Sequence, residues 1–169
     1  MVKNFKKKKL ILLLFAVLAL FLVCVIVCRY YLYTDDTSKF HSYLNQANGI
    51  RVTIYENGGT SVNSGIISSE ESLYREICDL FSTVRLRPSL RQALEKFFTG
   101  KAYMVGDEDA EFSIFITLFQ DGEAKHSIFL GGTNNMYFDK KEFYMGDFSN
   151  TAELQLMNQI YAIIDKHDR

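Results

Sequence analysis

Residues 10–28 run without a single charge, directly after Lys3 and the block Lys6 to Lys9. At about 1.5 Å of rise per residue such a run crosses roughly the hydrocarbon core of a bilayer. A helix satisfies all of its backbone polar groups internally, which lipid requires. One transmembrane segment is therefore expected. Five lysines precede it, whereas Arg29 on the other side is soon followed by Asp35 and Asp36. The positive flank predicts a cytoplasmic amino terminus and an extracytoplasmic remainder.

A secretory signal peptide has the same basic and apolar start, so the question is whether a peptidase could cut it. Ala16 and Ala19 are spaced wrongly for an A-x-A site, and Leu20 to Cys28 continues the apolar run. Cys24 and Cys28 follow Val23 and Val27, where a lipoprotein signal needs a small residue. The expectation is an uncleaved signal anchor at the cell membrane. It divides the chain into a basic tail (1–9), a span (10–28), a juxtamembrane stalk (29–48) and an extracytoplasmic domain (49–169). Tyr30, Tyr31 and Tyr33 fall where amphipathic rings favour the headgroup layer.

From Arg29 onward there are 14 basic against 20 acidic residues, a formal charge of −6. Nucleic acid is thereby a poor partner, because phosphate binding needs a basic face. Cys78 is the only cysteine outside the apolar run, so no disulfide within the chain can staple the exported part. About 120 residues are enough for one domain with a single core.

Ile50 to Tyr55 alternates as a strand, Asn57-Gly58-Gly59 supplies a turn, and Thr60 to Ile67 returns. Ser68 and Glu71 form a capping-box signature before a helix with Leu73, Ile77, Leu80 and Phe81 at helical spacing. Val84 to Arg87 is extended. Ser89 with Gln92 opens a short helix carrying Leu90, Ala93, Leu94 and Phe97, which Gly100 stops. Lys101 to Val105 is a further candidate strand, and Gly106 to Glu111 an acidic loop.

The strongest strand signal is Phe112 to Phe119, followed by Ala124 to Leu130. A two-residue Asp121-Gly122 turn would place Ile114, Ile116 and Leu118 beside Lys125 and Ser127. A three-residue loop, Gln120-Asp121-Gly122, instead aligns Phe112, Ile114, Ile116 and Leu118 with Ala124, His126, Ile128 and Leu130, so the bulged hairpin is expected. Met136 to Asp139 and Glu142 to Met145 form a last hairpin. Asn150 and Glu153 cap a final helix bearing Leu154, Met157, Ile160, Tyr161 and Ile164. The fold class is α+β: an antiparallel sheet of about five to six strands with two to three helices on one face.

No nucleophile elbow, phosphate loop, zinc-protease or C-x-x-C signature is present, and no cofactor or metal is expected. Cys78 and His126 could pair as thiol and base, yet no third group to orient the histidine is apparent. Asp107, Asp109 and Glu111 alternate like the start of a calcium loop, but Phe112 and Leu118 occupy the positions that need glycine and glutamate. More informative is the sheet face opposite the core, where the chosen register sets Phe115, Phe119 and Phe129 among polar residues. Three adjacent aromatics on an open face mark a contact surface, unless the Ser89 to Phe98 helix or the stalk covers them as a second core layer.

The lysine-rich anchor, the Asn57 to Gly59 hairpin, Glu70-Glu71 at a helix start and the Tyr/Phe-rich meander before a terminal helix resemble a known group. They are similar to the small, single-pass, extracytoplasmic proteins of unknown function common in low-GC Gram-positive bacteria. Relative to these, Leu86 to Val105 looks like a helical insertion, and the resemblance transfers no catalytic residue. The expected function is a membrane-anchored binding or assembly module holding a protein, peptide or envelope polymer through Phe115, Phe119 and Phe129. The alternatives are an envelope-acting enzyme, for which Glu111 and Asp121 are a conceivable carboxylate pair, and a sensor or inhibitor domain.

Overall fold

The computed structural model describes residues 2–33, 36–57, 59, 61–100, 110–133, 135–145 and 152–168. The chain divides into two compact units, Met1–Thr34 and Asp35–Arg169. The first is one helix, α1 (Val2–Tyr33). Its window Ile11–Arg29, with a mean hydropathy of 3.5 and no buried share, is long and apolar enough to cross a membrane. A single span or signal anchor fits that helix.

The second unit is an α+β domain built on an open antiparallel sheet. Its strands are β1 (Gly49–Glu56), β2 (Ser61–Asn63), β3 (Ile67–Ser68), β4 (Leu86–Pro88), β5 (Phe112–Gln120), β6 (Glu123–Leu130), β7 (Asn135–Phe138) and β8 (Lys141–Met145). They run in the order β2-β1-β5-β6-β7-β8-β4, with β3 also paired to β1. The eight strands among the described residues exceed the expected five to six for a local reason. The return strand after Asn57 is broken at Gly65 (φ 70°), and Ser64 meanwhile accepts the Val52 N–H on its hydroxyl at 3.0 Å. Pro88 ends up inside β4, which is tolerable because β4 is an edge strand.

Among the described residues four helices belong to this unit: α2 (Thr37–Gln46), α3 (Ser72–Ser82), α4 (Leu90–Thr99) and α5 (Ala152–Asp168). Ile50, Val52, Ile54, Ile114, Ile116, Leu118, Ile128, Leu130, Met136, Phe143 and Met145 form the inner face of the sheet. Against them pack Phe40 and Leu44 of α2, Tyr74, Ile77 and Phe81 of α3, and Leu156, Met157, Ile160 and Ile164 of α5. Alternation along each strand makes this a one-sided core.

The stalk expected over 29–48 differs from what is found, since most of its second half is α2. Phe40, Leu44 and Ala47 are buried at helical spacing, and Asp36 N–H donates to Leu86 O at 3.2 Å. The domain therefore begins at Asp35 and not at residue 49. In α5, Leu154 is exposed and Leu156 is buried, because Glu153 turns inward and fixes the helix by its phase. Glu153 Oε1 accepts from Gly131 and Gly132 N–H at 2.7 and 3.2 Å. Asn150, the expected cap, and the Lys101 to Val105 strand lie outside the described residues, as do Asp107 and Asp109.

The β5–β6 hairpin keeps the expected residues on the core face but pairs them two positions away from the expected register, which would set Ile114 opposite Ile128, Ile116 opposite His126 and Leu118 opposite Ala124. Ile114 faces Leu130, Ile116 faces Ile128 and Leu118 faces His126. The turn, however, is the two-residue Asp121-Gly122 pair at φ 55° and 79°. Lys125 is the extra residue, because Phe119 then pairs with Ala124. The bulge thus sits in β6 and restores the apolar alignment that a plain two-residue turn would have destroyed.

Candidate functional site

On the outer face one transverse row crosses five strands: Thr53, Phe115, Phe129, Tyr137 and Glu142 are successive cross-strand neighbours. Phe115 and Phe129 are half-buried, and the Phe129 and Tyr137 rings lie 5.9 Å apart. The next row is Arg51, Thr117 and Ser127. Phe119 shares this face but is buried, only 8% exposed. Its ring lies 5.3 Å from the Arg51 guanidinium carbon, and its partner Gly49 supplies no side chain to displace it. A Cβ on Gly49 would meet Ile66 Cγ2 at 3.2 Å. Of the three expected contact aromatics, Phe115 and Phe129 thus form a pair with access to solvent, and Phe119 is packed behind Arg51.

The row ends in a buried polar hub. Glu142, 2% exposed, accepts from Ser89 Oγ at 2.5 Å, Arg91 Nη2 at 2.7 Å, Asn135 Nδ2 at 2.9 Å and Tyr137 OH at 3.2 Å. A carboxylate meeting this many donors remains compatible with burial. Burial opposes the Arg91 charge, but Glu142 and Tyr137 outweigh it and hold the guanidinium above its ordinary value. Ser89 also accepts the Gln92 N–H, as the capping signature predicts, while the Gln92 side chain spans Lys140 O and Glu142 N–H. The first turn of α4 is thus latched to β8. None of its residues is buried, and Leu94, Phe97 and Phe98 are 47%, 81% and 78% exposed. These apolar side chains are exposed, while Phe115 and Phe129 are half-buried and Tyr137 is fully buried.

A second cluster flanks α2. The His126 ring lies tilted 4.2 Å from Tyr43 and stacks 5.4 Å from Phe138, and its Nδ1 lies 2.7 Å from Asp139 Oδ2. Asp139 Oδ1 accepts the Ser127 N–H at 2.9 Å. Asp139 and Lys141 line a shallow cleft of about 110 Å³ together with Lys39, Phe40 and Tyr43. The pairing supplies the orienting group for His126 that was not apparent in the sequence. It arises because Asp139 and Lys140 adopt positive φ (49° and 67°) and swing the Asp139 carboxylate back over β6. Cys78 is occupied elsewhere. It shares a hydrogen bond with Tyr74, and burial, the leading cause, pushes its thiol up to about 11, away from nucleophilic use at neutral pH.

Among the described residues no group of three or more His, Cys, Asp or Glu side chains converges as a metal site would require. Asp121 lies in the β5–β6 turn and Glu111 just before β5, where the Glu111 carbonyl accepts the Asn57 N–H at 2.9 Å. They occupy opposite ends of one strand. No family model, curated protein or solved structure matches the chain. What the fold defines is an α+β domain following an apolar amino-terminal helix.

Proposed function

We propose that the chain is a membrane-anchored binding module facing away from the cytoplasm, with the Phe115–Phe129 pair at the centre of its contact surface. One observation carries this reading: Phe115 and Phe129 face each other across β5 and β6, half-buried, on the sheet face away from α2, α3 and α5, with the buried Tyr137 ring packed beside Phe129. Aromatic side chains of this kind dominate contact energies because they bury large rigid area at little entropic cost. The flanking Thr53, Thr117 and Ser127 supply polar groups for a rim, so a protein, peptide or envelope polymer is the fitting occupant. The lysine-first orientation of α1 and the likeness to single-pass extracytoplasmic proteins of Gram-positive bacteria support the same placement.

The test is a photoreactive phenylalanine analogue at position 129 of the full chain in its native membrane, with Leu154 on α5 as the control position. A discrete adduct at 129, absent at 154 and lost with Phe115→Ser, is the expected result. Equal labelling at both positions removes the proposal.

A second reading, an envelope-acting enzyme, is favoured by one observation, the His126–Asp139 pair beside the cleft. An imidazole oriented by a carboxylate is suited to general-base work. It predicts that His126→Gln leaves the adduct at position 129 intact while abolishing any hydrolytic turnover of envelope material.

A further inference from the structure

We infer that α4 is a membrane-contact element, its exposed Leu94, Phe97 and Phe98 entering the interfacial layer of the anionic bilayer in which α1 is anchored. This rests on α1 spanning that bilayer and is separate from the Phe115–Phe129 surface.

The helix is built for such a surface. Leu90, Leu94, Phe97 and Phe98 recur at i, i+4, i+7 and i+8, which gathers them on one face. Gln92 lies on the opposite side of the helix wheel and bonds the β8 backbone, so the apolar face is turned away from the domain. Phe97 and Phe98 pack edge to face at 5.3 Å and are the two most exposed aromatics of the domain's described residues. An apolar stripe with Phe and Leu on a short helix of otherwise polar residues is the pattern of an interfacial helix.

Charge points to lipid. The segment 85–101 holds Arg85, Arg87, Arg91, Lys96 and Lys101 against Glu95, a formal +4 that becomes +3 when the Glu142 paired with Arg91 is counted. The unit Asp35–Arg169 as a whole holds 13 basic against 20 acidic residues, a formal −7. A basic island in an acidic domain is attracted to an anionic leaflet, by about 1 kcal/mol per residue close to the surface.

Covalent reach supplies the remaining condition. Past the apolar window α1 continues to Tyr33, leaving a link of three residue steps to Asp36, with a covalent reach of at most roughly 11 Å beyond the helix end. At its domain end Asp36 N–H bonds Leu86 O, and Leu86 N–H bonds Thr37 Oγ1. Leu86 precedes the α4 cap, Ser89, by three residues, and α4 itself is about 15 Å long. The bilayer is thus the surface that chain connectivity presents to α4 at high effective concentration.

The chain contains no tryptophan, so Phe97→Trp and Tyr55→Trp each provide a single reporter, and both positions are exposed enough to accept the ring. The full chain bearing one or the other is reconstituted into phosphatidylcholine–phosphatidylglycerol vesicles, and into phosphatidylcholine alone, with bromine on the acyl chains. Expected is a blue-shifted Phe97→Trp emission that the bromines quench roughly twofold or more, weaker in phosphatidylcholine alone, with Tyr55→Trp unquenched. Emission at the aqueous wavelength without quenching overturns the inference. A blue shift without bromine quenching also overturns it and assigns the face to a protein or a second copy. Equal quenching of Tyr55→Trp means that α4 is not the element in contact, and equal quenching in both lipids removes the anionic component.

Discussion

At the scale of single residues the outer-face phenylalanines separate by burial. Phe119→Ser is expected to cost about 3 kcal/mol, as for a buried aromatic, whereas Phe115→Ser and Phe129→Ser should cost about 1 to 2 kcal/mol each, as half-buried positions. Urea midpoints of the three variants test that order. Cys78 gives a pH signature. Burial raises its thiol from 9.0 to about 11, so the folded chain keeps a proton that the unfolded chain releases earlier. Its contribution is complete below pH 9.0 and is lost as the pH rises through about 11, with Tyr74, also raised by burial, adding to the loss at higher pH. Denaturation should show stability falling over that window, less steeply in Cys78→Ala. Native Cys78 should also alkylate about 100-fold more slowly than an unperturbed thiol, matching its smaller thiolate fraction. Mass spectrometry distinguishes it from Cys24 and Cys28.

At the scale of elements, the attachment of α4 depends on its first turn. Ser89, Arg91 and Gln92 converge on Glu142 and the β8 backbone, so the latch is side-chain chemistry and not apolar packing. Glu142→Gln removes the charge that Ser89, Arg91, Asn135 and Tyr137 all address and should lower stability by about 2 to 3 kcal/mol. Hydrogen exchange should locate the loosening in α4 and β8 and leave the β1–β5 pairing protected. The other element with a distinct prediction is α2. Phe40 and Leu44 fill the inner core, and the His41 imidazole bonds Phe81 O at 3.0 Å. A soluble form beginning at Asp35 should unfold cooperatively, while one beginning at Asn48 should lose its sharp thermal transition because its core is opened on one side.

At the scale of the whole molecule the prediction concerns α1. If the lysines hold the amino terminus in the cytoplasm, protease added to intact cells should remove the domain, and the remaining fragment should fractionate as integral membrane protein. A domain protected until lysis would reverse the orientation. Recovery of a soluble chain starting between Ala19 and Tyr30 would identify a cleaved signal peptide instead.

Periodicity and composition alone were enough for the apolar helix, the α+β class, the Ser89 cap, the Gly100 stop (φ 70°) and the placing of Ile116 and Ile128 on one core face. Each of these is decided within a turn or a hairpin, where spacing and local sterics suffice. The membership of α2 in the core was written only faintly, in Phe40, Leu44 and Ala47, because ten mostly polar residues next to an apolar run carry little periodic signal. The bulge at Lys125, the burial of Phe119, the meeting of His126 with Asp139 and the Glu142 hub were settled by tertiary structure. All join residues whose proximity depends on strand order and on which neighbour lacks a side chain. A linear pattern specifies which face a residue shares, but only the packed sheet decides whether that face is filled.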